Sequence, residues 1–154
     1  MVALAYRPEL LVLDEPSSGL DPIVRRDILG AIIQTIAEEG RTVLFSSHLL
    51  SEVERVSDEV AMIKAGRILF CDTLDRIKGR HRRITVCFDE ARAETPDVEG
   101  VIAWEGAGRE WTAVWGGNEE SFEAVVAEMG GRVVEQRVPS LDEIFVARAE
   151  GVAV

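Results

Sequence analysis

A continuous run of apolar residues that ends in two acids is the strongest constraint on the fold of this chain. Leu10–Leu13 has no polar interruption and is followed directly by Asp14 and Glu15. An unbroken apolar run of this length is typical of a strand that is buried on both faces, as in a parallel sheet. We therefore expect a parallel sheet in which both carboxylates lie at the carboxyl end of one strand.

The residues after this strand predict alternating helices and strands. Asp21 and Pro22 fit a helix N-cap followed by proline at the first helical position, and Gly40 ends the helix. The β-rich run Thr42–Ser46 predicts a second strand, which a second helix follows. The apolar positions at helical spacing are Leu29, Ile32, Ile33 and Ile36 in the first helix, and Leu49, Leu50, Val53 and Val56 in the second.

A hairpin and a basic segment mark the predicted end of the first domain. Val60–Ile63 and Arg67–Phe70 flank a short connection that contains glycine, which predicts a β-hairpin closing the first unit. Lys78–Arg83 is mostly basic, and we interpret it as a solvated linker. We therefore predict an α/β domain over residues 1–79 and a small α+β domain over residues 80–154.

Apolar periodicity predicts the core of the second domain. Trp111, Ala113 and Trp115 alternate with other residues, so they share one face of a strand. Ser140 with Glu143 three residues later fits a capping box that opens a final helix. A helical stripe between these features is expected to pack in the core and comprises Phe122, Val125, Val126 and Met129.

Charge and composition exclude some classes of function. The formal net charge is −11, which argues against a nucleic-acid partner because binding a polyanion needs clustered lysine and arginine. No apolar run approaches the roughly 20 residues that span a bilayer. A secretory signal pattern is also missing, so we expect a cytoplasmic protein.

Cys71 and Cys87 lack metal-ligand spacing and a disulfide framework, which predicts two reduced, partly buried thiols.

Two adjacent acids at a strand end are suited to phosphoryl transfer. One carboxylate can hold Mg²⁺ while the other positions or deprotonates water, and here Asp14 would take the metal and Glu15 the water. Alternatively, the two acids merely begin a solvated loop. A histidine such as His48, taken alone, is more often a capping or surface residue. His81 lies among arginines without a carboxylate nearby in the sequence, so we expect no acid–base role for it.

The residues around the acids form a series that favours the first interpretation. Asp14 and Glu15 are followed by Pro-Ser-Ser-Gly-Leu-Asp-Pro, and the second strand ends in Ser-Ser-His. This series resembles the ATP-binding subunits of ABC transporters, in which its parts are the Walker B motif, the D-loop and the switch histidine. The resemblance implies that Asp14 contacts Mg²⁺ through water and that Glu15 is the general base. It also implies that Asp21 communicates across a dimer and that His48 contacts the γ-phosphate of ATP.

Two other motifs of that family are missing. Its phosphate-binding loop, G-x-x-x-x-G-K-[ST], surrounds the phosphates with backbone N–H groups and a lysine. No glycine–lysine pair occurs in these 154 residues, and neither does the signature Leu-Ser-Gly-Gly-Gln. We therefore expect a truncated chain with a partial P-loop NTPase sheet. Such a chain would not bind or hydrolyse ATP alone.

The end of the sequence resembles a particular branch of the family. Pro139–Phe145 is similar to the C-terminal extension of bacterial exporter-type ATPases, including those of drug and antibiotic efflux. The resemblance implies ATP and Mg²⁺ as cofactors of the complete protein. It implies membrane-spanning transporter subunits and a second ATPase subunit as partners, at the inner face of the cell membrane. Two alternatives remain: a non-catalytic interaction or dimerisation module, and a fragment of a non-transport ABC ATPase.

Overall fold

The two predicted apolar strands pair in parallel in the computed structural model of the chain, which describes residues 8–117 and 119–151. β1 is Leu10–Leu13 and β2 is Thr42–Phe45, and they pair residue by residue along their whole length. α1, Pro22–Glu39, connects them, and α2, Leu50–Val56, follows β2. The predicted α/β class is confirmed. Because parallel strands end at the same sheet edge, the residues after β1 and β2 are neighbours.

The predicted start of α1 is confirmed in atomic detail. Oδ1 of Asp21 accepts hydrogen bonds from the backbone N–H groups of Ile23, at 2.9 Å, and Val24, at 3.2 Å. Leu29 and Ile32 are buried as predicted, whereas Ile33 is 43% exposed, so the buried stripe is narrower than expected. The side chain of Ile36 lies outside the described residues.

The expectation that β1 is buried on both faces is wrong. Leu11 is 5% exposed, but Leu10 and Val12 are 54% and 63% exposed. In the described residues β1 pairs only with β2, and Leu44, which lies on the same sheet face as Val12, is also exposed. Burial is therefore confined to the face that carries Leu11, because no second layer of described residues covers the other one.

By its internal contacts the chain divides into two compact units, Met1–Ser57 and Asp58–Val154. The predicted hairpin is present as β3, Glu59–Lys64, and β4, Arg67–Thr73, and it belongs to the second unit. Its two turn residues, Ala65 and Gly66, have φ values of 49° and 74°. Two consecutive left-handed residues give the turn whose twist matches that of the flanking strands.

The basic segment predicted to be a linker is ordered instead. α3, Leu74–Gly79, passes directly into β5, Arg82–Arg92. Between them His81 is only 6% exposed, with Nδ1 2.5 Å from the carbonyl oxygen of Ile77 and Nε2 3.0 Å from a guanidinium nitrogen of Arg148. Both ring nitrogens therefore have partners within the unit, which compensate for the lost hydration of the buried ring.

The predicted core of the second unit is confirmed. β6 is Val101–Trp115 and β7 is Gly131–Arg137, and the antiparallel order is β6-β5-β7. α4, Glu119–Glu128, packs near β7, and α5, Leu141–Gly151, packs on β6. The sequence-predicted residues that are buried are Trp111, Ala113, Trp115, Phe122 and Val126, while Val125 and Met129 pack against them partly buried.

The predicted capping box at the start of α5 is also confirmed. The backbone N–H of Glu143 donates to Oγ of Ser140 at 3.3 Å, and that of Ser140 donates to Oε2 of Glu143 at 2.8 Å. Arg137 donates to both carboxylate oxygens of Glu143, at 2.8 and 2.5 Å. These hydrogen bonds, led by those of Arg137, lower the pKa of Glu143 from 4.5 to about 2.

Glu143→Gln is expected to destabilise the second unit by about 1 kcal/mol at pH 7, because the bidentate ion pair is partly solvent-screened. The folded pKa is depressed, so this stabilisation is present above pH 4.5 and is lost as the pH falls toward 2. Urea unfolding at pH 7 and at pH 3 measures both effects. Asp142→Asn, at an exposed neighbouring position, is the control. Equal stability of Glu143→Gln and the unmodified chain at pH 7 would contradict the assignment.

The buried imidazole of His81 predicts a second pH dependence. Burial is the main cause that lowers the pKa of His81 below 6.5, and the nearby Arg148 and Arg80 lower it further. The unfolded chain then binds the proton more tightly, so stability is complete above pH 6.5 and falls as the pH drops below it. Urea unfolding between pH 8 and 5 measures the free energy of unfolding. Its decline toward low pH should be smaller in His81→Gln. In the control His48→Gln, the part of the decline that His81 causes should remain. A decline of the same size in His81→Gln would refute the assignment.

The two thiols differ in exposure. Cys87 is half-buried as predicted, but Cys71 is exposed, so its predicted partial burial is wrong. Both are free. Among the helices of the described residues, none is long and apolar enough to cross a bilayer.

Candidate functional site at the ends of the parallel strands

The parallel pairing of β1 and β2 brings three of the four predicted site residues together. Asp14 and Glu15 follow β1 directly, and His48 lies three residues after the end of β2. The backbone N–H of Ser46 donates to the carbonyl oxygen of Leu13 at 2.9 Å, which extends the ladder to the base of the site. The acid pair and His48, which are far apart in the sequence, are therefore close together in space.

The hydroxyl of Ser46 links the two acids. Its Oγ donates to Oδ1 of Asp14 at 2.5 Å and accepts a hydrogen bond from the backbone N–H of Glu15 at 2.9 Å. Glu15 has a φ of 44°, a left-handed conformation that costs a residue with a side chain about 1 kcal/mol or more. The Ser46 contact helps to hold this conformation, which turns the chain sharply after Asp14.

Glu15 and His48 are in direct contact. Oε2 of Glu15 lies 2.7 Å from Nδ1 of His48, and the two side chains are 35% and 63% exposed. An ionised carboxylate is only an acceptor, so Nδ1 carries the proton in this pair, as the hydrogen-bond geometry requires. Nε2 is then left to interact with a further group, as an acceptor in the neutral ring and as a donor in the charged ring.

Asp21 is the predicted site residue that lies outside this group. In the described part of the chain its side chain caps α1 and has no hydrogen bond to Asp14, Glu15 or His48. Its position follows from local helix chemistry. The structure therefore gives Asp21 a capping function and leaves its predicted role across a dimer as a proposal.

Four further residues at or near the site were not predicted from the sequence. They are Ser17, Arg25, Ser46 and Glu52. Ser46 was recognised only as a strand end, and its bridging hydroxyl gave no signal. Glu52 is 6% exposed on α2, where it bonds Ser17 and pairs with Arg25. A signal for Glu52 did exist: it lies three residues after Leu49, on the apolar stripe of α2. An acid on a buried helical face requires polar partners.

The oxygen atoms of the site fit Mg²⁺ only as part of a larger site. Carboxylate and hydroxyl oxygens are ligands that Mg²⁺ accepts, and Asp14 and Ser46 supply them at one place. Among the described residues no group of three or more acidic, histidine or cysteine side chains could hold a metal. Mg²⁺ commonly binds through one or two carboxylates together with substrate phosphates, so this donor set fits a metal that a nucleotide shares.

Comparisons with known proteins agree on one kind of protein. The chain is 34% identical to the uncharacterised ABC transporter ATP-binding protein all4389 of Nostoc sp., over 94% of this chain and 43% of that protein. It is 25% identical to the ABC transporter ATP-binding protein YtrB of Bacillus subtilis, over 98% and 52%. The bacitracin transport ATP-binding protein BcrA of Bacillus licheniformis is 42% identical over 81 residues, which are 53% of this chain and 26% of that protein.

No protein-family model matches the chain. The chain spans about half the length of the curated relatives that it matches along nearly its whole sequence. The matching region therefore includes the strand pair, the acids and His48, because only a few residues are left out of it. The chain is homologous, over nearly all of its length, to the ATP-binding proteins of ABC transporters.

Proposed function

We propose that the chain is the hydrolytic part of an exporter-type ABC transporter ATP-binding subunit. The observation that carries this proposal is the hydrogen-bonded group of Asp14, Ser46, Glu15 and His48 at the ends of two parallel strands. The name of the bacitracin transport relative supports a transport function. In this proposal the membrane-spanning partner subunits determine which substrate is transported.

Glu15 and His48 would act on the attacking water and on the terminal phosphate. In this proposal the free carboxylate oxygen of Glu15 accepts a proton from water, as a general base does. The contact with His48 orients the carboxylate and leaves Nε2 of the ring for the γ-phosphate. While Nδ1–H donates to Glu15, Nε2 can donate to the γ-phosphate only if it carries a proton as well.

Asp14 would hold Mg²⁺, through water, beside the phosphates of ATP. The hydrogen bond from Ser46 orients the carboxylate for this role. The metal would neutralise charge on the phosphates during hydrolysis. Asp21 would in addition communicate with a second ATPase subunit, since it is the last residue of the D-loop segment and caps the start of α1.

The proposed partners and location follow from the same family. They are membrane-spanning transporter subunits and a second ATPase subunit, at the cytoplasmic face of the membrane. We propose that residues 1–79 form the ATPase part and that residues 80–154 form an accessory part.

We further propose that these 154 residues alone neither bind nor hydrolyse ATP. Backbone N–H groups of a glycine-rich loop and a lysine supply most of the phosphate contacts in P-loop proteins. The sequence contains no such loop, while the residues of the proposed hydrolytic site are all present. In a non-catalytic interaction module, the alternative, the same acids would have no effect on hydrolysis in any assembly.

A chimaera tests the proposed function. The segment of the Nostoc relative that matches this chain is replaced by the chain itself, so the remainder of that protein can supply a phosphate-binding loop. We expect Mg²⁺-dependent release of phosphate from ATP, with the unaltered relative as the positive control. A folded chimaera that binds ATP but hydrolyses none of it, while the relative is active, would refute the proposal.

A further inference from the structure

A buried carboxylate joins three segments of the first unit. Glu52, on α2, is 6% exposed. Its Oε2 accepts a hydrogen bond from Oγ of Ser17 at 2.6 Å, and its Oε1 lies 3.3 Å from Nε of Arg25 on α1. Ser17 is itself 1% exposed. A buried carboxylate is tolerated only when partners of this kind compensate for its lost hydration.

Arg25 extends the connection to the other end of the same loop. A terminal guanidinium nitrogen of Arg25 donates to the carbonyl oxygen of Leu20 at 3.2 Å. Within the loop, the backbone N–H of Leu20 lies 3.4 Å from the carbonyl oxygen of Ser17, and Gly19 has a φ of 71°. The paired Glu52 and Arg25 therefore hold the segment Ser17–Leu20 at both ends, through Ser17 and through Leu20.

The segment Ser17–Leu20 is connected to both halves of the candidate site. It begins two residues after Glu15, and the backbone N–H of Ser18 donates to the carbonyl oxygen of Glu15 at 3.1 Å. Glu52 lies four residues after His48, in the helix that His48 precedes. One carboxylate thus links the segment that carries Glu15 to the segment that carries His48.

We propose that Glu52 is a positioning residue, whose contacts with Ser17 and Arg25 hold Glu15 and His48 in hydrogen-bonding contact. Glu52 touches neither of them and takes no part in proton transfer. Its role in hydrolysis rests on the proposed function, but its effect on the geometry of the site can be measured without nucleotide.

The test is the ¹⁵N resonance of Nδ1 of His48, recorded by long-range ¹H–¹⁵N NMR on the full chain at one fixed pH. Glu15→Ala removes the acceptor for Nδ1 and gives the resonance position of the broken contact. We expect Ser17→Ala and Glu52→Gln to move the resonance at least half-way to that position. Ser17→Thr keeps a hydroxyl and should restore the original position, while Ser51→Ala, at an exposed position on α2, should leave it unchanged.

Circular dichroism shows which variants are folded, and Ser17→Ala decides the question if Glu52→Gln does not fold. An unchanged resonance in folded Ser17→Ala overturns the proposal, and so does a shift of equal size in Ser17→Thr. The two failures are distinguishable. If Glu15→Ala itself leaves the resonance in place, the contact of Glu15 with His48 is absent and the geometry behind the proposed function fails as well.

Discussion

Glu15→Gln in the chimaera is expected to lower the rate of ATP hydrolysis about 10²-fold to 10⁴-fold, the range that a general base contributes. The amide cannot accept a proton from water, although it has nearly the same shape as the carboxylate. Nucleotide binding should be retained, because the proposed phosphate and metal contacts come from other groups. The measurement is kcat from phosphate release, together with the Kd for Mg-ATP.

The matched control for this substitution is Glu94→Gln, which changes an exposed acid in a bend outside the site. It should leave kcat within about twofold, since surface changes of this kind are usually small in energy. Equal hydrolysis rates for the unmodified chimaera and Glu15→Gln would remove Glu15 from the chemistry. A loss of ATP binding in Glu15→Gln would instead point to a binding role.

Phe122→Ala is expected to destabilise the second unit by about 3–5 kcal/mol, the usual cost of deleting a buried aromatic side chain. Phe122 is 1% exposed. Its ring centroid lies 5.5 Å from that of Trp115 and 6.2 Å from that of Trp104, so its loss removes aromatic contacts as well as buried area. A loss of this size is a large part of the stability of a small domain.

Tryptophan fluorescence during urea unfolding reports this effect specifically. All three tryptophans of the chain lie on β6, so the signal follows the second unit. Val134→Ala, at a 50% exposed position on β7, is the control and should cost less than about 1 kcal/mol. A midpoint for Phe122→Ala that matches this control would show that the ring does not pack as described.

Local sequence patterns predicted the elements whose causes are local. Asp21 before Pro22 and Ser140 before Glu143 determine helix starts through hydrogen bonds within three residues, and the structure contains both. Alternation placed Trp115 in the core for the same reason, since the period of a strand is a property of its own residues.

Features that depend on distant residues were predicted less well. Burial of Val12 depends on which layers cover the sheet, and the apolar run alone cannot specify them. The buried ring of His81 has a partner in Arg148, which lies 67 residues later, so no local pattern indicates it. In the candidate site, the family motif predicted Asp14, Glu15 and His48, which the structure brings together, while the bridging role of Ser46 emerged only when β1 and β2 were paired.

Calorimetric titration of Mg-ATP into the chain and into the chimaera, side by side, tests the central claim most directly. The claim is that the chain carries the hydrolytic residues of an ABC ATPase without the part that grips the phosphates. We expect no binding to the chain at ATP concentrations up to about 1 mM, and micromolar binding to the chimaera, a difference of about 4 kcal/mol in binding free energy. Micromolar binding of Mg-ATP by the chain alone would contradict the claim.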